Sequence, residues 1–306
     1  MALTYDQLSA ITSKKFMPKA VDNIFNSNPL LARTRKKSYE LIDGGTSIMV
    51  PLNYAVPTAS GWYSGADTLS INDNDIITAA EYSWKQLYVN ISILRSDELK
   101  NSGEAQQVSL VKQKMKIAEK QMEDLLGTGI FSNATDANSI VGLRKIVGTA
   151  NTVGGISQTT YTWWAGNLDA TTTTLSMGHL QTQFNLASIG SDTPSVAVTT
   201  RTLFNSYYAL LQPQQRFQDT ESANGGFSSL MFNGVPVLVD SHCPSSSWFF
   251  LNEEYLSLYA HKNEDMRFEP FAKPTNQNLK LAKIYWMGSY GSSNNRMHAL
   301  SNALTA

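Results

Sequence analysis

Residues 46 to 93 carry two apolar runs of period two held apart by a long polar stretch, and this arrangement restricts the fold more than anything else in the chain. In the first run Ile48, Val50, Leu52, Tyr54 and Val56 fall on one face. In the second, Leu87, Val89, Ile91 and Ile93 do the same, preceded by Tyr82 and Trp84. Between them lies SGWYSGADTLSINDND, which is loop chemistry and too long for a tight turn. The pattern predicts a long two-stranded ribbon. Pro51 and Pro57 remove ladder donors, so the first strand is expected at an edge or interrupted. Two strands alone are marginally stable. A ribbon with Trp62 and Tyr63 near its tip makes sense where a neighbouring subunit covers it.

Composition narrows the class. Of 306 residues 42% are hydrophobic, ample for a packed core, so wholesale disorder is excluded. Only 16% are charged, against about 25% in an average soluble chain. A weakly repulsive surface packs readily against copies of itself. The net charge of -1 argues against a dedicated nucleic-acid binder. The length predicts at least two lobes. One cysteine, Cys243, excludes an intrachain disulfide framework. The apolar runs are too short to span a bilayer, and MALTYDQLSAITSKKF does not read as a secretory signal.

Residues 1 to 40 read as an arm: Lys14, Lys15, Lys19, Arg33, Arg35, Lys36 and Lys37 crowd it, with few apolar groups to bury. Residues 104 to 126 read as an amphipathic helix on the stripe Val108, Val111, Met115, Ala118, Met122 and Leu125, with Asn101 or Ser102 as N-cap and Gly127 as its stop. The stretch SIVGLRKIV reads as a strand pair or strand-turn around Gly142, and Trp163 and Trp164 as loop anchors. Downstream, MGHLQTQFNLASIG is a helix closed by Gly190, SVAVTT a buried strand, and TLFNSYYALLQP a helix ended by Pro213. LMFNGVPVLVD is a hairpin turning at Asn233-Gly234, and SWFFLN, MRFEPF and LKLAKIYWMGSYGSSN are strands. The tail HALSNALTA reads as peripheral.

No constellation for catalysis stands out. The sequence has no GxSxG, P-loop, GxGxxG or HExxH motif and no cysteine pair for zinc. Asp240-Ser241-His242-Cys243 holds the residue types of a nucleophilic triad, but neighbours on a strand point to opposite faces, so a buried or edge cysteine is expected. Asp73-Asn74-Asp75 lacks the glycine and distal glutamate of a calcium loop. Glutamates interleave with lysines on the 104 to 126 helix, the pattern of a solvated face. No catalytic, cofactor or metal site is expected, and the chain is not read as an enzyme.

The order of parts, together with NPLLARTRKKSYELIDGGTSIMVPL, ILRSDELKNSGEAQQVSLVKQKMKIAEKQMEDLLGTGIF and GVPVLVDSHCPSSSWFFLNEEYLSLYAHKNEDMRFEPF, resembles the tailed-bacteriophage major capsid proteins with the Hong Kong 97-like fold. The resemblance implies an α+β fold with an N-terminal arm at 1–40, an extended loop at 41–93, a peripheral lobe with a spine helix at 94–139 and 266–306, and an axial lobe at 140–265. It implies a structural subunit assembling as hexamers and pentamers into an icosahedral head around double-stranded DNA, built in the host cytoplasm and residing in the virion. Contacts between subunits would come from Trp62, Tyr63, Asp67 and Leu69 at the loop tip and from Phe16, Ile24, Phe25 and Leu30 in the arm. The implied partners are copies of itself, portal protein at one vertex, a decoration protein and packaged DNA. Because the arm begins almost at Met1, a separate scaffolding protein is expected. The loop tip, Ser60 to Asp75, has no lysine, which counts against the lysine–asparagine cross-link of some members. An encapsulin-like compartment shell is the alternative, and a cytosolic cysteine hydrolase using His242 and Cys243 a more distant one.

Overall fold

The computed structural model describes residues 28–72, 74–100, 110–215 and 230–306. It opens with helix α1 (Pro29–Lys37) and strands β1 (Tyr39–Ile42), β2 (Ile48–Asn53), β3 (Ile77–Tyr82) and β4 (Lys85–Leu94). Helices α2 (Arg95–Lys100), α3 (Leu110–Ile130) and α4 (Leu143–Ile146) follow, then β5 (Thr152–Val153), β6 (Ile156–Ser157), β7 (Asn167–Asp169) and β8 (Thr173–Thr174). Next come α5 (Met177–Leu186), β9 (Val196–Thr199), α6 (Arg201–Gln215), β10 (Met231–Phe232), β11 (Val235–Val239) and β12 (Trp248–Leu251). The chain ends with β13 (Leu256–His261), β14 (Arg267–Ala272), β15 (Leu279–Ser292), β16 (Ala299–Ser301) and β17 (Leu304–Thr305). This is the α+β mixture the sequence predicts. Residues Phe16, Ile24, Phe25 and Val108 and the N-cap candidates Asn101 and Ser102 lie outside the described residues.

The contacts define two units. The described residues of the first are 88–100, 110–122 and 268–284. Here β14 and β4 both pair with β15, the amide of Arg95 donates to the Asn278 carbonyl at 3.3 Å, and Lys114 Nζ donates to the Ser92 carbonyl at 2.7 Å. Strand β4 alternates as predicted, with Ile91 and Ile93 buried and Tyr88 and Leu94 exposed. It is nevertheless not the partner of the first apolar run. That partner is β3, antiparallel, with Ile48 opposite Tyr82 and Asn53 opposite Ile77. The segment ITAAEY buries only Ala80 and Tyr82, so it gives little hydrophobic signal, whereas the richer β4 run goes into a wider sheet.

The described residues of the second unit are 28–72, 74–87, 123–215, 230–267 and 285–306. Its main sheet has the order β10-β11-β9-β12-β16-β7. Strands β9 and β12 are buried at every position, which is why VAVT and WFFL read as continuous apolar runs. Phe184 of α5 and Tyr207 of α6 meet Phe250 and Trp248 edge-on, at 5.6 and 5.4 Å between ring centroids. Such pairs add to the area they bury. The hairpin turns at Asn233-Gly234 with φ of 48° and 80°, the two-residue primed turn that suits twisted strands. The tail is a correction. Strand β16 lies between β12 and β7, and its Ala299, Leu300 and Ser301 are buried.

Other boundaries shift for local reasons. Helix α3 runs past Gly127 to Ile130, burying Ala118, Met122, Leu126 and Ile130, while Val111 and Leu125 are exposed. Gly127 is there for clearance: a Cβ would lie 1.9 Å from Asn28 Nδ2, which donates to the Glu123 carbonyl at 2.9 Å. SIVGLRKIV forms the helical turn α4, not strands. Helix α5 ends at Leu186, and Gly190, at φ 63°, serves the turn that joins Ile189 to Asp192. Helix α6 continues two residues beyond Pro213.

Helix α1 starts at Pro29, a residue suited to the first helical turn, and ends on Arg35, Lys36 and Lys37, which complement its dipole. It is held by Glu253, whose carboxylate is nearly buried. Arg33 donates to both of its oxygens, Lys37 Nζ donates at 3.0 Å and Ser195 Oγ at 2.9 Å. Burial raises the Glu253 pKa, but these donors outweigh it and hold the carboxyl below the usual range. Replacing Glu253 by Gln leaves two cations facing a neutral amide. Glu253→Gln is expected to lower stability by about 2–4 kcal/mol in urea unfolding of the unassembled chain.

Candidate functional site

The ribbon β2–β3 carries the loop 54–76 at its end. The loop neck is closed by Asn74, whose Oδ1 accepts from the Thr58 amide at 3.0 Å and from Thr58 Oγ1 at 3.2 Å, while its Nδ2 donates to the Val56 carbonyl at 3.3 Å. This is the role of the residue at the centre of the rejected calcium pattern; Asp73 lies outside the described residues. Nearer the tip, Asp67 Oδ2 accepts from the Ser64 amide at 2.8 Å, so this carboxylate organises its own turn. The aromatic groups do not fold back onto the ribbon. Trp62 is 106% exposed, Tyr63 68% and Leu69 59%. Together with Thr58 and Ser70 they line an open concavity of about 850 Å³. Ile71, which the sequence reading passed over, is 93% exposed. It stands alone among Ser, Asn and Asp, a signal that could have been read.

At the root of the ribbon Tyr54 stacks on Trp163 at 5.3 Å, and Tyr161 lies 6.2 Å from Trp163. With Asp75, Glu81 and Gly154 they border a second concavity of about 540 Å³. Trp163 and Trp164 divide the anchoring role: Trp164 is buried and donates to the Val153 carbonyl at 2.9 Å, while Trp163 faces the ribbon. Of the predicted arm contacts, only Leu30 is described. It is 2% exposed within its own chain, so it has almost no surface left to offer a neighbour. Its amide donates to Asp240 Oδ2 at 3.3 Å.

The catalytic look-alikes are structural. His242 Nδ1 lies 3.1 Å from Asp240 Oδ1 and its Nε2 lies 2.8 Å from Asp124 Oδ1. Cys243 Sγ is turned instead toward the carbonyls of Pro244 and Ser247, and burial pushes its thiol pKa up, away from the thiolate. His179 Nε2 contacts Ser301 Oγ at 3.0 Å and Asp169 Oδ2 at 3.6 Å. Both contacts use one nitrogen and Ser301 is buried, so no relay to a substrate is formed. Among the described residues no group of three metal-ligating side chains converges, and no helix is long and apolar enough to cross a membrane.

His298 is fully buried. Its Nδ1 accepts from the Asn252 amide at 3.2 Å, leaving Nε2–H toward Ser292 Oγ at 3.4 Å. Burial lowers its pKa to about 3, so the folded chain keeps it neutral where the unfolded chain binds a proton. Stability therefore rises with pH between about 3 and 6.5, by up to about 1.4 kcal/mol per unit from this group. His298→Asn is expected to flatten the slope of urea-unfolding free energy by nearly one proton near pH 5, falling to about half a proton at pH 6.5.

No protein-family model matches the sequence, and neither does any curated protein. Solved structures do match. A chain of the cyanophage A-1(L) capsid asymmetric unit aligns at TM-score 0.71 and 16% identity, over 99% of this chain and 100% of that one. A chain of the native GTA particle capsid aligns at 0.70 and 12% identity over 100% of both. The holo-SrpI encapsulin of Synechococcus elongatus aligns at 0.63 and 10% identity, over 99% and 96%. Aligned over nearly its whole length, the chain has the α+β fold of these capsid and encapsulin subunits, the Hong Kong 97-like fold.

Proposed function

We propose that the chain is a major capsid protein, a structural subunit that self-assembles as hexamers and pentamers into an icosahedral phage head around double-stranded DNA. The observation that carries this reading is the ribbon tip. Trp62, Tyr63, Leu69 and Ile71 are exposed on an extended two-stranded element, and a neighbouring copy would cover them. The fold is the one these capsid chains use. Residues 1–40 then act as the arm and 41–93 as the extended loop. The peripheral lobe comprises 94–139 and most of 266–306, and the axial lobe 140–265, joined by β16 and β17, which pair with its strands. A separate scaffolding protein, a portal at one vertex, a decoration protein and the packaged DNA are the partners that belong to this reading.

Many weak contacts made cooperative by closed symmetry would build the shell. Electron microscopy of the purified chain, with and without a candidate scaffold, is expected to reveal closed particles or rings of five and six. A monomer that never assembles would overturn the reading. Trp62→Ala combined with Tyr63→Ala should leave the subunit folded and abolish normal shells; unaltered shells would remove the ribbon tip from the interface.

A compartment shell is the second reading, favoured by the likeness to the SrpI encapsulin. The hydrolase reading meets a buried thiol. In the native chain a maleimide probe should leave Cys243 unlabelled and react with it only after unfolding.

A further inference from the structure

The charge of the chain is unevenly divided. The whole sequence carries -1, yet the described residues of the first unit hold nine lysines and arginines against four carboxylates, a net +5. Those of the second hold eleven against fifteen, a net -4. Helix α3 carries much of the excess. Lys112, Lys116 and Lys120 recur at every fourth residue, so successive ammonium groups rise by about 6 Å along one face. Lys112 and Lys116 are exposed. In the same unit Lys273, just past β14, and Lys280 on β15 are exposed as well.

In sequence, glutamates interleave with these lysines and suggest mutual neutralisation. The structure changes that balance. The Glu123 carboxylate accepts from Arg35 at 3.2 Å, and the neighbouring Asp124 is turned to His242 at 2.8 Å. Glu119 stands exposed between Lys116 and Lys120, and the exposed pair Lys112 and Lys116 carries the face.

We propose that this lysine face of α3 binds duplex DNA through its phosphates, without regard to sequence. Lysine offers a compact point charge, suited to phosphate oxygens and not to the bidentate reading of a base edge. The row Lys112, Lys116, Lys120 contains no arginine fork and no aromatic platform on which a base could stack. A regular repeat of charge matches a regular phosphate lattice better than the irregular surface of an acidic protein. That the duplex is a packaged genome rests on the shell reading; the binding itself does not.

The test titrates the unassembled full-length chain against a short labelled duplex of arbitrary sequence at several salt concentrations. Binding should weaken steeply with salt, and Lys112→Gln with Lys116→Gln should lower affinity about tenfold at low salt and reduce the salt slope by about 2. Two duplexes of unrelated sequence should respond equally. Absence of binding by the wild-type chain, or an unchanged slope in a variant with wild-type urea stability, would overturn the proposal. So would poly-glutamate competing as well as DNA at equal charge, which would assign the face to an acidic protein. Electron microscopy of the same preparations separates the two readings. Shells without DNA binding sink this inference alone, and DNA binding without shells sinks the shell alone.

Discussion

A carboxylate that is almost buried must be surrounded by donors, and Glu253 meets that demand by drawing three stretches of chain together. Arg33 and Lys37 reach it from α1, Ser195 from the approach to β9, and its own carbonyl accepts from Ser38 Oγ at 2.8 Å. The cost of leaving the Glu253 carboxylate unpaired inside the chain is larger than the worth of a surface ion pair. The knot therefore fixes where α1 lies. Strand β1 follows directly and adds in parallel to β13, with Tyr39 opposite Leu258. The ribbon leaves the sheet from that point. A single buried acid thus sets the departure of the ribbon that carries Trp62 and Ile71.

The ribbon itself runs against the rules for an isolated soluble chain. Its two strands form a sheet of their own, tied to the rest of the unit at its root by the Glu81 amide, which donates to the Gly154 carbonyl at 2.9 Å, and by Tyr82, and the side chains at its tip are among the largest apolar groups available. Asn74 and Asp67 spend their hydrogen-bonding capacity keeping the loop in shape, while Trp62 and Ile71 are left open. A loop stiffened by its own polar groups loses less entropy when a partner covers it. That division of labour, polar atoms inward for shape and apolar atoms outward for contact, is what an association surface needs.

Much of this was legible in the sequence because burial was extreme. VAVT and WFFL are continuous apolar runs and could only be inner strands, and Asn233-Gly234 could only be a turn. Trp62, Tyr63 and Leu69 were recognisable as tip residues because they stand in a stretch of Gly, Ser, Asn and Asp too long for a tight turn. Legibility failed where small or polar residues carry the structure. Strand β3 hides its register in Ala79 and Ala80, and the tail looked peripheral because Ala299 and Ser301 are small, which is what lets β16 fit between β12 and β7. Gly127 resembles a helix stop, but its reason is the side chain of Asn28, far away in sequence. Leu30 resembles an arm contact because its burial depends on a fold that sequence periodicity cannot reveal.

The four histidines show why the chemistry-bearing side chains lead to no active site. His242 is held between two carboxylates, His298 sits neutral in the core, and His179 bonds a buried serine. His261 accepts from the Asn263 amide at 3.2 Å and meets Trp84 edge-on at 5.7 Å. Each has its ring nitrogens or its face committed to a neighbour that fixes backbone position. What the described residues expose is an apolar ribbon tip and the lysine pair Lys112 and Lys116 on α3. One suits a neighbour of the same kind through area, the other a polyanion through charge.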